Sequence, residues 1–370
     1  MPQLVDVATA EPPFAIAQED AAAFARARFG GAMPHIERLM PLFANTGIRS
    51  RNICKPPSWY ETDHGLGEKN EAYIEAATTL CAEAARTLLA RRGLKPTDID
   101  RVFFVNTTGL ATPSIDARLI NVLGLKRDVR RTPIWGLGCA GGVAGLATAA
   151  RDLVGHPRER ALVFAAEMCS LTFLADDFSK SNLVATALFA DGAACALVSG
   201  DDTDDAGFPI LGTRSMLFPD SLDIMGWSVV ARGLQVVFDQ RIPAIIRDYA
   251  ASELTTLLEM RGLTLGDVTE FLYHPGGPKV LQAYADAYGI STDRFQWSKD
   301  VFRDYGNMSS VTVMYVLSRY IATHPPSPSA SARQAPPASG LRRDAPTADK
   351  YGVVSALGPG FSSEAFLLGL

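Results

Sequence analysis

The chain has few cysteines, no long apolar run and no large excess of either charge. Cys54, Cys81, Cys139, Cys169 and Cys195 are odd in number and scattered, with no CxxC pair. That spacing argues against a disulfide framework and against a structural zinc site. Gly, Asp or Arg interrupts each longer apolar stretch, so no run of about 18 residues could span a bilayer. The first residues are acidic and polar rather than basic and then apolar. No secretory leader is expected, and the cytoplasm is the expected compartment. Lys+Arg number 35 against 40 Asp+Glu, a formal charge of -5. This balance argues against a general nucleic-acid binder and leaves room for a local basic mouth for an anionic ligand.

What remains is an ordinary globular composition, 47% apolar and 20% charged over 370 residues, with enough chain for large cores. Laid against itself, the chain repeats. TLLARRGL at 87–94 matches TLLEMRGL at 256–263, and DIDRVFFV at 98–105 matches DVTEFLYH at 267–274, both at an offset of 169. GCAGGV at 138–143 falls on GNMSSV at 306–311 at an offset of 168, and GFSSEAFLLG at 360–369 on DGAACALVSG at 191–200 at 169. Four matches in one order predict two halves of a single architecture, residues 1–208 and 209–370.

Each half reads as mixed α/β. The first half predicts a helix over 70–92, strands over 101–107, 161–167 and 193–200, and a strand–turn–helix from 131 that contains Cys139. In the second half, 231–260 reads as largely helical. A strand over 269–273 ends at His274, and helices begin near 277 and after Asn307. Long apolar strands between helices favour sheets covered on both faces. The Gly/Ala helix after Cys139 suits a position between two layers. Residues 1–45 read as an appended helical arm or cap. The Pro/Ser/Ala-rich stretch 324–348 reads as a flexible excursion inside the second half.

Three residues carry chemistry. Cys139 sits in WGLGCAGG, between a short strand and a helix start, where free N–H groups and the dipole favour a thiolate. A small buried cysteine at a helix crossing is the plain alternative. His274 ends a strand before PGGP and could face a cleft or be a satisfied core histidine. Asn307, in YGNMSS, could be a simple helix cap. The repeat brings them together, because Cys139 and Asn307 fall on equivalent positions and His274 falls on Val105. A thiol, an imidazole and an amide around one centre suit covalent acyl transfer. The spacing does not match papain-like peptidases.

At these residues the chain resembles the type III polyketide synthases, the chalcone-synthase-like group of the thiolase superfamily. The segments that carry the resemblance are GLGCAGG at 136–142, CSLTF at 169–173, FADGAACALV at 189–198, HPGGP at 274–278, GNMSS at 306–310 and GPGFSSE at 358–364. The resemblance implies an α/β, thiolase-like duplicated αβαβα layered fold and a homodimer. It implies acyl-CoA and malonyl-CoA as substrates, with no metal or other cofactor. Cys139 matches the acylated nucleophile, and His274 with Asn307 matches the pair that drives malonyl decarboxylation. Phe173 matches the phenylalanine between the CoA tunnel and the cavity. Thr107, Thr108 and Thr112 match cavity positions, and Gly358, Pro359 and Gly360 match the cavity-shaping loop. Arg49 and Arg51 lie near the basic positions expected at the CoA entrance.

Threonine at 112 departs from the methionine of the plant enzymes and is too short to fill the same space. The compact WGLGCAGG and CSLTF segments look closer to bacterial alkylresorcinol- or alkylpyrone-forming members, which implies a fatty acyl starter. A single-round ketoacyl synthase III-like acyltransferase and a non-catalytic acyl-CoA-binding homologue are the competing readings.

Overall fold

The computed structural model describes residues 1–326 and 350–370, so the excursion read at 324–348 lies outside the described residues from 327 on. In the first half, strands β1 (Gln3–Ala10), β2 (Phe14–Ala17) and β3 (Ser50–Ile53) accompany helices α1 (Gln18–Phe29) and α2 (Pro41–Asn45). Then come α3 (Leu66–Arg92), β4 (Arg101–Asn106), α4 (Ile115–Leu123), β5 (Arg130–Trp135), α5 (Gly141–Val154), β6 (Arg160–Met168), α6 (Lys180–Leu188) and β7 (Asp191–Ser199). The second half holds β8 (Phe208–Leu217), β9 (Met225–Val230), β10 (Gly233–Phe238), α7 (Ile242–Glu259), β11 (Val268–Tyr273) and α8 (Pro278–Tyr288). It closes with α9 (Gln296–Tyr305), α10 (Thr312–Thr323), β12 (Tyr351–Gly358) and β13 (Ser362–Gly369).

The main sheet runs β11-β12-β13-β8-β1-β7-β6-β4-β5. Its two ends repeat one pattern. β4 pairs parallel with β6, and β6 pairs antiparallel with β7, which pairs antiparallel with β1. β11 pairs parallel with β12, and β12 pairs antiparallel with β13, which pairs antiparallel with β8. The short β1–β8 pairing joins the halves. The matched TLLxxRGL segments have a physical reason. Gly93 and Gly262 both take left-handed backbone, φ +66° and +67°, where a side chain would be strained.

Alternation along the strands separates the layers. Val102 and Phe104 of β4 pack outward against α3, with Leu162 and Phe164 of β6. Phe103, Val105, Val163 and Ala165 face inward onto α5 and α10, which also meet Val354 and Ala356 of β12. On the far face, Phe271, Val353 and Leu367 pack against α7 and α8. The order of layers is therefore α–β–α–β–α, with the small-residue helix α5 in the middle. Its glycines permit that contact: a Cβ on Gly142 would lie 2.2 Å from the Ser310 carbonyl oxygen.

Two expectations are corrected. Residues 3–10 are not part of a helical arm but a central strand, β1. Its acid, Asp6, is buried there and paired with Arg91 at 3.0 Å. Residues 231–241 are not helical. β9 and β10 form a hairpin, and α7 starts only at Ile242. WSVVARGLQVVF has apolar residues enough for either element, and Gly233 sits at φ +147°, which breaks a helix there.

Candidate active site

Cys139 lies on the turn between β5 and α5, buried, with Gly138 at φ +49° before it. The turn is held from below. Thr107 Oγ1 accepts the Gly138 N–H at 2.9 Å. A Cβ on Gly358 would meet the Leu137 carbonyl oxygen at 2.4 Å, and one on Gly138 would meet the Pro359 ring at 2.5 Å. The expected loop at Gly358, Pro359 and Gly360 thus packs directly under the Cys139 turn, with Gly360 at φ +123°.

His274 follows β11, and its N–H donates to the Ser355 carbonyl of β12 at 2.8 Å. The same strand β12 continues to Gly358 beneath the Cys139 turn. Asn307 follows Gly306 and precedes the turn Ser309–Val311, which packs on Gly141 and Gly142 at the start of α5. The three segments therefore meet at one end of the layered core.

The site is dry. Burial pushes the Cys139 thiol up to about 12, and a hydrogen bond from Ser309 only partly offsets this. Burial pulls the His274 imidazole down to about 3. Taken alone, each group is held neutral, whereas the helix-start argument had pointed to a resting thiolate. Both ring nitrogens of His274 are buried without a hydrogen-bond partner. The Asn307 Oδ1 accepts the Ser309 N–H at 2.8 Å, which fixes the amide and leaves its NH2 end for a ligand.

Beneath this site lies Glu167, which the sequence reading missed. Its Oε2 accepts the N–H groups of Thr107 (3.1 Å) and Thr108 (3.0 Å) and the Thr108 hydroxyl (2.7 Å). Thr107 and Thr108 are thus supports of the nucleophile turn. Burial pushes Glu167 up to about 6, against the donors that lower it.

A cavity of about 310 Å³ is lined by Phe24, Tyr60, Cys169, Phe173, Phe189 and Trp227 among others. Phe173 stands in its wall, edge-on to Phe24 at 5.5 Å. Phe189 was not singled out by sequence, yet it is bridged to Asn307 through the backbone and leans on Trp227 at 5.8 Å. Its place as the first residue of the matched segment FADGAACALV was the available signal. Burial first, and then the charges of Glu167 and Asp191, push the Cys169 thiol well above its ordinary value.

Thr112 is exposed on the surface of the chain with Leu110 and Trp135, away from this cavity. Arg49 points outward and pairs with Asp304 at 3.2 Å. Arg51 departs from the expected phosphate-facing position. It is buried, and it donates to the carbonyls of Thr186 (2.7 Å), Ala187 (3.0 Å) and Phe189 (3.0 Å). A guanidinium at the C-terminal end of α6 satisfies its orphan carbonyls and the negative end of its dipole. Among the described residues, no group of three or more His, Cys, Asp or Glu side chains is placed to hold a metal ion, and no helix is long and apolar enough to cross a membrane.

A duplicated five-layer core with a buried cysteine, histidine and asparagine at one end defines a thiolase-superfamily condensing enzyme. The family models for the N-terminal and C-terminal domains of chalcone and stilbene synthases match residues 48–202 and 211–369. The chain belongs to this family, the type III polyketide synthases, whose chemistry is iterative condensation on a cysteine nucleophile. It is 37% identical to a putative chalcone synthase of Bacillus subtilis (strain 168), over 98% of this chain and 97% of the relative. It is also 37% identical to the 1,3,6,8-tetrahydroxynaphthalene synthase of Streptomyces peucetius subsp. caesius, over 89% and 83%. The crystal structure of the 1,3,6,8-tetrahydroxynaphthalene synthase of Streptomyces coelicolor A3(2), a bacterial type III polyketide synthase, superposes with a TM-score of 0.88 at 28% identity, covering 99% of each chain. The structure of CsyB complexed with CoA-SH superposes with a TM-score of 0.86 at 25% identity, covering all of each chain.

Proposed function

We propose that this protein is an acyltransferase that extends a fatty acyl-CoA with malonyl-CoA and closes the product to a resorcinol or pyrone. The carrying observation is His274, a fully enclosed imidazole with neither nitrogen partnered. A buried polar group left open in a folded protein asks for a ligand, and here it shares one end of the core with a thiol and an amide.

His274 takes the Cys139 proton as the sulfur attacks the acyl-CoA carbonyl, and the CoA thiolate leaves and is protonated. The acyl group is then a thioester on Cys139. Malonyl-CoA enters with its thioester carbonyl toward His274 and the Asn307 NH2. Its C–C bond to the carboxylate breaks, CO2 departs, and the electron pair forms an enolate held by those donors. The enolate carbon attacks the acyl thioester, the new C–C bond forms, and the Cys139 sulfur leaves. Further rounds precede aldol or lactone closure. The apolar cavity is not lined by Cys139, His274 or Asn307 but abuts that site through Phe189, which is bridged to Asn307. It supports a fatty starter, since its volume lies in the range of small-molecule sites and its walls are largely aromatic and aliphatic.

The functional unit in this reading is a homodimer. β5 is one of the two edges of the main sheet and exposes Trp135 beside Leu110. Open edges recruit another strand, and a second copy of β5 related by a twofold axis would close this one.

The test is a panel of acyl-CoA starters with malonyl-CoA, read by product mass. Products with two or more added C2 units that vanish in C139A support the reading. One added unit supports a single-round synthase instead, and no acyl adduct on Cys139 by intact mass overturns catalysis. N307A is expected to impair malonyl decarboxylation more than starter acylation.

A further inference from the structure

The apolar cavity has a polar corner that the proposed chemistry does not use. Tyr60 and Ser170 both line it, with the phenol oxygen 2.6 Å from the Ser170 hydroxyl. Behind them lies Asp191, buried. Asp191 accepts the N–H groups of Ser170 at 2.7 Å and Cys54 at 2.8 Å, and it also accepts the Ser170 hydroxyl. An ionised carboxylate can only accept, so the Ser170 proton points to Asp191. The Ser170 oxygen can then only accept from Tyr60, and the phenol proton points inward. Burial and the Asp191 charge both hold that phenol protonated. What Tyr60 has left for the cavity is a lone pair.

The other polar groups of the wall follow the same rule. Thr172 donates its hydroxyl to the Cys169 carbonyl at 2.7 Å, and Thr186 donates to the Asn182 carbonyl at 2.8 Å. Asn182 spends both amide hydrogens on the carbonyls of Leu174 (2.8 Å) and Asp177 (2.7 Å). Asp20 can only accept. Arg51 directs its terminal nitrogens to backbone carbonyls and to Gln18 Oε1, and its Nε, which has no partner, is enclosed away from the cavity surface. The wall is greasy, and where it is polar it offers acceptors.

From this wall we infer that the cavity selects an acyl chain bearing a hydroxyl group, whose O–H is received by Tyr60 with its proton held by Ser170 and Asp191. A plain chain leaves the phenol lone pair without a donor, and a keto group in its place sets two acceptors face to face. The corner lies beside Cys169 in the cavity wall, and the position of the favoured hydroxyl along the chain is what a series of hydroxyl isomers reads. This inference rests on the acyl-transfer reading above and adds the substrate class.

The experiment compares acyl-CoAs of one length: the plain chain, hydroxyl isomers at successive carbons, and the matching keto chains. Acylation of Cys139 is followed by intact mass and turnover by product. In the wild-type enzyme, one hydroxyl isomer is expected to have kcat/KM about tenfold above the plain chain, with the difference in KM, the size of one well-made neutral hydrogen bond. In Y60F that ratio falls to about one. S170A leaves the phenol proton free to turn outward, so its preference moves from the hydroxyl to the keto chain. Thermal melts confirm that each variant is folded. Acylation with no hydroxyl preference, or a preference that survives in Y60F, overturns this inference alone. No acylation by any chain overturns the functional reading and this one with it.

Discussion

Ser310, in the second half of the chain, donates its hydroxyl to Glu167 Oε1, in the first half, at 2.7 Å. One buried carboxylate therefore fastens the Asn307 turn to the threonines beneath Cys139. Burial raises its pKa from an ordinary 4.5 to about 6. The folded protein holds this proton more tightly than the unfolded chain does. Its stabilising effect is complete below pH 4.5 and is lost as pH rises through about 6. The size is about 2 kcal/mol. Glu167→Gln keeps the shape and removes the titration, since the Ser310 hydroxyl can turn and accept. Urea unfolding across this window should show the wild type losing about 2 kcal/mol relative to E167Q as pH rises. A constant difference between the two proteins would refute the assignment.

Reactivity of Cys139 should depend on His274. A thiol pushed up to about 12 by burial is almost wholly protonated at neutral pH, and the thiolate is the nucleophile. In the proposed reaction the unpartnered His274 imidazole is the base at that end of the core. Alkylation by iodoacetamide near neutral pH should be slower in H274A than in the wild type by at least about tenfold, with the adduct located on Cys139 by mass. Equal rates would mean that another group deprotonates the sulfur.

What was legible in sequence followed from local constraint. The Gly/Ala run after Cys139 announces a helix with no room for side chains, and α5 lies in the middle layer. The repeated TLLxxRGL segments mark the same left-handed turn twice. Residues whose partners are distant in sequence were misread or missed. Arg51 looked like a surface cation because the carbonyls that bury it belong to α6, some 135 residues away. Glu167 looked like an ordinary strand residue because its donors come from Thr107, Thr108 and Ser310. β1 was read as an arm because its acid, Asp6, is neutralised by Arg91 on α3, and no local pattern reports that pairing.

The middle layer sets a steric limit at Gly142. An added Cβ would lie 2.2 Å from the Ser310 carbonyl oxygen and 2.9 Å from the Val313 side chain. The first clash is with backbone that also positions Asn307, so it cannot be relieved by a rotamer change. Gly142→Ala should destabilise the fold by about 3 kcal/mol and reduce malonyl decarboxylation together with stability. Thermal melting checks the first effect and release of labelled CO2 the second. A wild-type melting temperature in G142A would show that α5 and the Ser310 turn can separate at little cost.

The edge strand supplies the last test. β5 pairs with β4 on one side only, and its residues alternate between half-buried and exposed toward its end at Trp135. Trp135 is 52% exposed and Leu110 51%, large apolar area on and beside a strand that already offers free N–H and C=O groups. In water such an edge is a template for another strand, and a twofold axis lets one copy of β5 satisfy another without further sequence. Light scattering coupled to gel filtration should give the wild type twice the 39.7 kDa chain mass. Trp135→Glu replaces exposed apolar area of that contact with a charge and should shift the protein to the mass of one chain, with the fold retained by circular dichroism. A wild type that runs as a single chain at micromolar concentration would leave the β5 edge without the partner assigned to it.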